Sequence, residues 1–191
     1  MNETLKLGLV LLLVCAISGG VLAVSNSITA PIIAEIEKEG SMGAFGEFFP
    51  EADDMVAVDE ALLADIMSNN SFVKEIYEVK KGEEIIGYAF KTVSNGYGGD
   101  IVAVSGFNMD GTIAGIKVVE HGETPNLGGK IEEEPFRGSF TGKNSANELV
   151  PSEAPSADNE VLLISGATVS TKGVLAGING AREAFVDNFL N

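Results

Sequence analysis

Thr168 closes the run Ser165-Gly166-Ala167-Thr168, where the apolar segment VLLI at 161–164 gives way to a stretch with helical spacing. Small residues at a strand-to-helix turn supply caps and permit unusual backbone angles, which is explanation enough for four residues seen alone. The same placement also suits phosphate chemistry. Backbone N–H groups at a helix N-terminus attract an anion, and a threonine hydroxyl beside them can be esterified to it. That hydroxyl is a weak nucleophile without an activating base. Lys172 is the one basic residue close by in sequence, so attachment calls for a separate modifying enzyme.

Two further segments could meet a planar ligand. GYGGD at 96–100 combines glycines that allow close backbone approach with Tyr97, which reads either as a core aromatic or as one face of a ligand site. HGETPNLGGK at 121–130 is marked as an irregular loop by Pro125, Asn126 and Gly128. It can lay Thr124 and Leu127 against a flat ring, with Leu127 as the apolar contact and backbone amides as donors. Taken singly, the first segment is equally an ordinary turn and the second an ordinary surface loop.

These segments need elements to hold them. From about Phe72 the texture is that of strands: two β-prone runs flank Lys80-Lys81-Gly82-Glu83, and two more flank Asp110-Gly111 in the clearest hairpin signal of the chain. Residues 136–160 are polar and loop-like, with room for a short helix, and VLLI then has the continuous apolar character of a buried strand. From about Ser170, the residues Val174, Ile178, Ala181, Phe185 and Phe189 recur at three- and four-residue intervals, predicting an amphipathic helix. Upstream, 59–67 predicts a short helix capped by Asp59, and 32–39 has helical spacing before Gly40, Gly43 and Gly46 loosen it. The expected class is α+β: one N-terminal transmembrane helix, then a twisted, mainly antiparallel sheet with packed helices.

Residues 7–24 carry no charge and would extend about 27 Å as a helix, close to the thickness of a bilayer core. A retained anchor is preferred to a cleaved signal peptide because the apolar stretch exceeds a usual signal core. Lys6 is the only basic side chain before it and none follows until Lys38, which weakly favours a cytoplasmic N-terminus with the soluble domain outside. The expected divisions are an anchor at 1–25, a stalk and helical region at 26–70, and a folded domain at 71–191. With 12 Lys and Arg against 28 Asp and Glu, the chain would repel nucleic acid. A single cysteine, Cys15, and a single histidine, His121, argue against disulfides, iron–sulfur clusters and zinc or haem ligation, and His121 reads as a surface polar residue. No dinucleotide-binding glycine motif is present.

In combination the segments are distinctive. GYGGDIVAVSGFNMDGTIAGIKVVEHGETPNLGGKI followed by SGATVST resembles the FMN-binding domain of the G subunit of Rnf complexes and of the C subunit of sodium-pumping NADH:quinone oxidoreductases, over roughly residues 85–190. The resemblance implies FMN held covalently at Thr168 through a phosphoester, installed by a flavin transferase that uses FAD as donor. It implies a site completed by Ser165, Gly166, Ala167, Glu123, Thr124, Leu127 and Gly128, and also by Tyr97 and Lys130. Asn126 stands where the family commonly has glycine, a mild change because asparagine tolerates left-handed backbone angles. The implied role is a redox relay in the cell membrane, with other membrane and peripheral subunits as partners and no catalytic or metal residues of its own. The chain length favours the Rnf member. The sodium-pumping paralogue and a free-standing, membrane-tethered extracellular flavoprotein are the alternatives.

Overall fold

The computed structural model describes residues 3–190. Helix α1 spans Glu3–Phe48 and contains an apolar stretch, Leu5–Ala30, of mean hydropathy 2.7 that is long and apolar enough to cross a membrane. Contacts divide the chain into a unit ending at Glu39 and a compact unit that begins at Gly40. Rather than stopping at the glycines, α1 continues to Phe48, because tertiary packing of its last turn outweighs their poor helix propensity. There Ala44 and Phe45, with Phe49 just beyond, are buried against the sheet.

A short strand, β1 (Asp54–Ala57), and a helix, α2 (Glu60–Asn69), follow. The α2 cap is the expected one: the Asp59 carboxylate accepts from the N–H groups of Ala61 and Leu62. Strands β2 (Val73–Lys81), β3 (Glu84–Asn95), β4 (Asp100–Asn108) and β5 (Ile113–His121) then form successive antiparallel hairpins, so the sheet runs β1-β2-β3-β4-β5 in order. The β4–β5 turn is built as its sequence requires: Gly111 adopts φ +84° and Asp110 accepts from both the N–H and the hydroxyl of Thr112. β1 was not expected from the sequence, which predicts only helix before residue 70. Its four residues are mostly exposed and carry no alternating apolar pattern, and their pairing with β2 is what makes them a strand.

Alternation along the strands gives the sheet two apolar faces. One face, with Ile76, Phe90, Ile101, Phe107 and Ile116, receives the long C-terminal helix α4 (Thr168–Asn188) through Val174, Ile178, Ala181 and Phe185. Phe185 stacks on Phe107 with ring centroids 5.0 Å apart, and burying such a ring contributes about 1.5–3 kcal/mol. The opposite face, with Val79, Ala89 and Val104, is covered by the end of α1, where Phe48 and Phe49 lie over Gly106 and Gly115.

Between β5 and α4 the chain forms a 3-10 turn (Gly128–Glu132), a one-turn helix α3 (Glu134–Arg137), and two short parallel strands, β6 (Val150–Ser152) and β7 (Glu160–Leu162). The VLLI strand is thus shorter than its apolar run and stands outside the main sheet. Leu163 donates to the Ser152 carbonyl and Ile164 to the Thr171 hydroxyl, which turns the chain toward α4 before a longer ladder can form.

Candidate functional site

The three segments singled out in the sequence meet at one end of the sheet. The turn 96–99 joins β3 to β4, the loop 122–127 leaves β5, and residues 165–168 lead into α4. Gly98 passes so close to the β5 loop that a Cβ there would lie 2.0 Å from the Gly122 carbonyl oxygen, so a side chain at 98 is excluded by backbone. Asn126 has φ 60°, the only non-glycine residue with positive φ among those described, and Gly166 turns the chain with φ +79°.

A cavity of about 460 Å³ opens between these segments. Its lining holds Tyr97, Glu123, Thr124, Leu127, Gly128, Gly166, Ala167 and Thr168, and adds Val169 and Ser170, which their sequence positions alone do not mark as site residues. Ser165 and Lys130 are exposed and lie outside this lining. Thr168 is the first residue of α4 rather than its cap, and Ala167 in the cap position provides no side-chain hydrogen bond. The helix therefore presents first-turn N–H groups without a side-chain acceptor, beside an exposed hydroxyl. Three exposed apolar side chains surround the opening: Tyr97 at 75%, Val169 at 52% and Leu127 at 46% exposure. Of the two roles open to Tyr97, the core is excluded.

Glu123 ties the segments together. It is 6% exposed; Oε1 accepts from the N–H groups of Tyr97 at 2.7 Å and Gly98 at 3.0 Å, and Oε2 accepts from the Ser170 hydroxyl at 2.6 Å. Burial alone would raise this carboxyl, but the Ser170, Gly98 and Tyr97 donors and the nearby His121 together hold it below the usual carboxylate range. The carboxylate is thus spent on protein donors in the cavity wall. Spacing along the chain gave no sign of this, since the partners lie far away in sequence.

His121 is not the free surface residue that composition suggested. Its Nδ1 accepts from the Glu123 N–H at 3.0 Å, its Nε2 stands 3.2 Å from a Glu132 carboxylate oxygen, and its side chain is 13% exposed. Among the described residues, no group of three or more His, Cys, Asp or Glu could hold a metal ion. A second cavity, of about 470 Å³, lies against the middle of α4, and its polar walls are already engaged: Asn70 donates to the Gly180 carbonyl, and Asn179 pairs with the Leu149 backbone.

The site residues fit FMN. The cavity has the size of a ligand pocket, an apolar rim suited to a ring system, and an uncapped helix N-terminus with a hydroxyl beside it for a phosphate. The profile of the FMN-binding domain family matches residues 96–183, the span that contains all three segments. The G subunit of the Na(+)-translocating ferredoxin:NAD(+) oxidoreductase complex of Acetobacterium woodii is 34% identical over 188 residues, covering 94% of this chain and 90% of that relative. The G subunit of the proton-translocating ferredoxin:NAD(+) oxidoreductase complex of Clostridium ljungdahlii is 29% identical over 173 residues, covering 91% and 86%. Two solved structures share the fold at 18% identity. NqrC of Shewanella oneidensis superposes with a TM-score of 0.54 over 74% of this chain and 84% of its own. The C subunit of the Na(+)-translocating NADH-quinone reductase of Parabacteroides distasonis does so with 0.56 over 71% and 76%.

Proposed function

The chain belongs to the family of G subunits of ion-translocating ferredoxin:NAD oxidoreductase complexes and carries an FMN-binding domain, and from that premise we propose that Thr168 is the covalent attachment point of its flavin. The protein is an electron-transfer component of such a complex. The observation that carries the Thr168 reading is the exposed hydroxyl at the uncapped start of α4, opening on the cavity between Tyr97, Leu127 and Val169.

When bound, FMN supplies the capacity to accept and pass on one or two electrons. The chain supplies position. Thr168 Oγ would hold the phosphorus through an ester, and the first-turn amides of α4 would meet the remaining phosphate charge. Leu127, Tyr97 and Val169 would offer apolar surface to the ring. Installation from FAD balances simply: the Thr168 Oγ–P bond forms, the pyrophosphate bond of FAD breaks, AMP leaves, and the hydroxyl proton passes to a base. No base on this chain is hydrogen-bonded to Thr168 among the described residues, so a flavin transferase provides it.

The apolar helix Leu5–Ala30 anchors the protein in the lipid bilayer, with the N-terminus cytoplasmic and the flavin domain outside. Its partners are the other membrane and peripheral subunits of the complex. The sodium-pumping quinone reductase alternative shares the fold, whereas the relatives matched along nearly the whole chain favour the ferredoxin:NAD assembly. Denaturing electrophoresis under ultraviolet light tests the tether. The polypeptide band of the purified protein fluoresces, and Thr168→Ala abolishes the fluorescence; a band that stays fluorescent in the variant refutes the attachment at Thr168.

A further inference from the structure

We propose that Glu123 is a fixed negative charge in the wall of the flavin cavity that lowers the midpoint potential of the bound flavin, a role that rests on the cofactor reading above. The carboxylate occupies a site built for it. Its three donors come from the turn at 96–99 and from α4, so that the β5 loop carrying Glu123 is joined to two other segments, and all three donors are neutral dipoles. Among the described residues no ammonium or guanidinium pairs with it, and Lys130 and Lys172 are both exposed. The His121 imidazole meets the Glu123 main chain rather than its carboxylate, accepting from the Glu123 N–H at Nδ1, and its Nε2 faces Glu132. The charge is therefore solvated by dipoles but not cancelled. Glycines reserve the space: a Cβ on Gly96 would lie 2.1 Å from Oε1, and one on Gly128 would lie 2.5 Å from Oε2.

A buried carboxylate without a cation is a costly way to join three segments, since a neutral amide can accept the same two N–H groups and still meet Ser170. The carboxylate differs from the amide in its field. Reduction brings negative charge onto the ring system, and a fixed anion in the same low-dielectric wall opposes it more strongly than it would in water. Ser170, in the same first turn of α4 as the proposed tether, sets how far that charge is compensated. The depressed pKa of the group agrees with a carboxylate that stays ionised at neutral pH.

The test is a redox titration of the detergent-solubilised, full-length, flavin-loaded protein, with thermal melting of each variant as the check on folding. Glu123→Gln keeps the shape and most of the hydrogen bonds and removes the charge. Its potential rises by about 30 mV or more, a tenfold change in the reduced-to-oxidised ratio of a two-electron couple. Ser170→Ala keeps the charge and removes one compensating donor, and its potential falls. Opposite signs identify an electrostatic role, because a purely structural tie loosened in either way moves both variants in the same direction. An unchanged or lowered potential in a folded, flavinylated Glu123→Gln protein overturns the proposal and leaves the cofactor reading intact. If Glu123→Gln does not fold or load flavin, Ser170→Ala decides, and a potential at or above that of the wild type overturns it. Wild-type protein without flavin overturns both readings together.

Discussion

The carbonyl oxygen of Gly122 lies 2.0 Å from the point where Gly98 would place a Cβ. The turn between β3 and β4 is thereby pressed directly onto the loop that leaves β5, backbone against backbone, next to the cavity-lining residues Tyr97 and Glu123. Gly98→Ala forces the two segments apart and costs about 1–3 kcal/mol, as overpacking does elsewhere. Urea unfolding measures the loss, and the flavin content of the purified protein falls with it. Gly99→Ala is the comparison. With φ +133° but nothing within 4 Å of its Cβ, it strains the local turn without separating the loops, and its flavin content exceeds that of Gly98→Ala.

Ser170→Ala leaves Glu123 Oε2 without its hydroxyl donor inside a buried wall. A buried acceptor deprived of its partner costs about 1–3 kcal/mol, with the larger values for a charged one. Denaturant midpoints at neutral pH should fall accordingly. Ser170→Thr retains a hydroxyl and recovers most of the loss if the added methyl group is accommodated.

The pH dependence of stability follows from the same carboxylate. Its pKa in the folded protein lies below the unfolded value of about 4.3. The stabilisation is therefore complete above that value and is lost as pH falls through the folded pKa. Unfolding free energies measured from pH 7 downward fall in the wild type relative to Glu123→Gln, so the gap between the two proteins changes on acidification. A gap that stays constant down to about pH 3, well below the unfolded value, contradicts the assignment.

On the other face of the sheet, Tyr77 donates its hydroxyl to Glu75 at 2.6 Å and packs against Phe45, with ring centroids 5.7 Å apart. Burial, aided by the hydrogen bond to Glu75 and its charge, pushes the phenol up to about 12. Because the folded pKa exceeds the unfolded value of about 10, the contribution is whole below about pH 10 and disappears as pH rises toward about 12. Tyr77→Phe removes that alkaline loss, which spectrophotometric titration and melting above about pH 9 detect.

Features that rest on neighbours in sequence were legible in advance. Asp59 capping α2, Asp110-Gly111 turning β4 into β5, and Val174, Ile178, Ala181 and Phe185 facing the sheet each depend on residues within a few positions of one another. Asn126 also took the left-handed angle that its side chain tolerates. What stayed hidden was set by distant partners. Glu123 draws its donors from residues 26, 25 and 47 positions away, so the sequence showed a polar loop residue where the fold has a buried tie. Phe48 and Phe49 settle over Gly106 and Gly115, a fit that neither pair announces alone. The short strands β1 and β6 exist through pairing with β2 and β7 rather than through their own apolar pattern.

The tether at Thr168 is the feature on which the flavin's place in this molecule depends. Cleavage after Lys143 and Lys172 releases the peptide 144–172, which contains Thr168 together with the neighbouring hydroxyls of Ser165, Ser170 and Thr171. Mass spectrometry of this peptide from the purified full-length protein should show the increment of FMN less one water, with fragmentation placing it on Thr168, and Thr168→Ala should yield the unmodified peptide. The increment on another of these hydroxyls, or an unmodified peptide from wild-type protein that co-purifies with stoichiometric flavin, would contradict it.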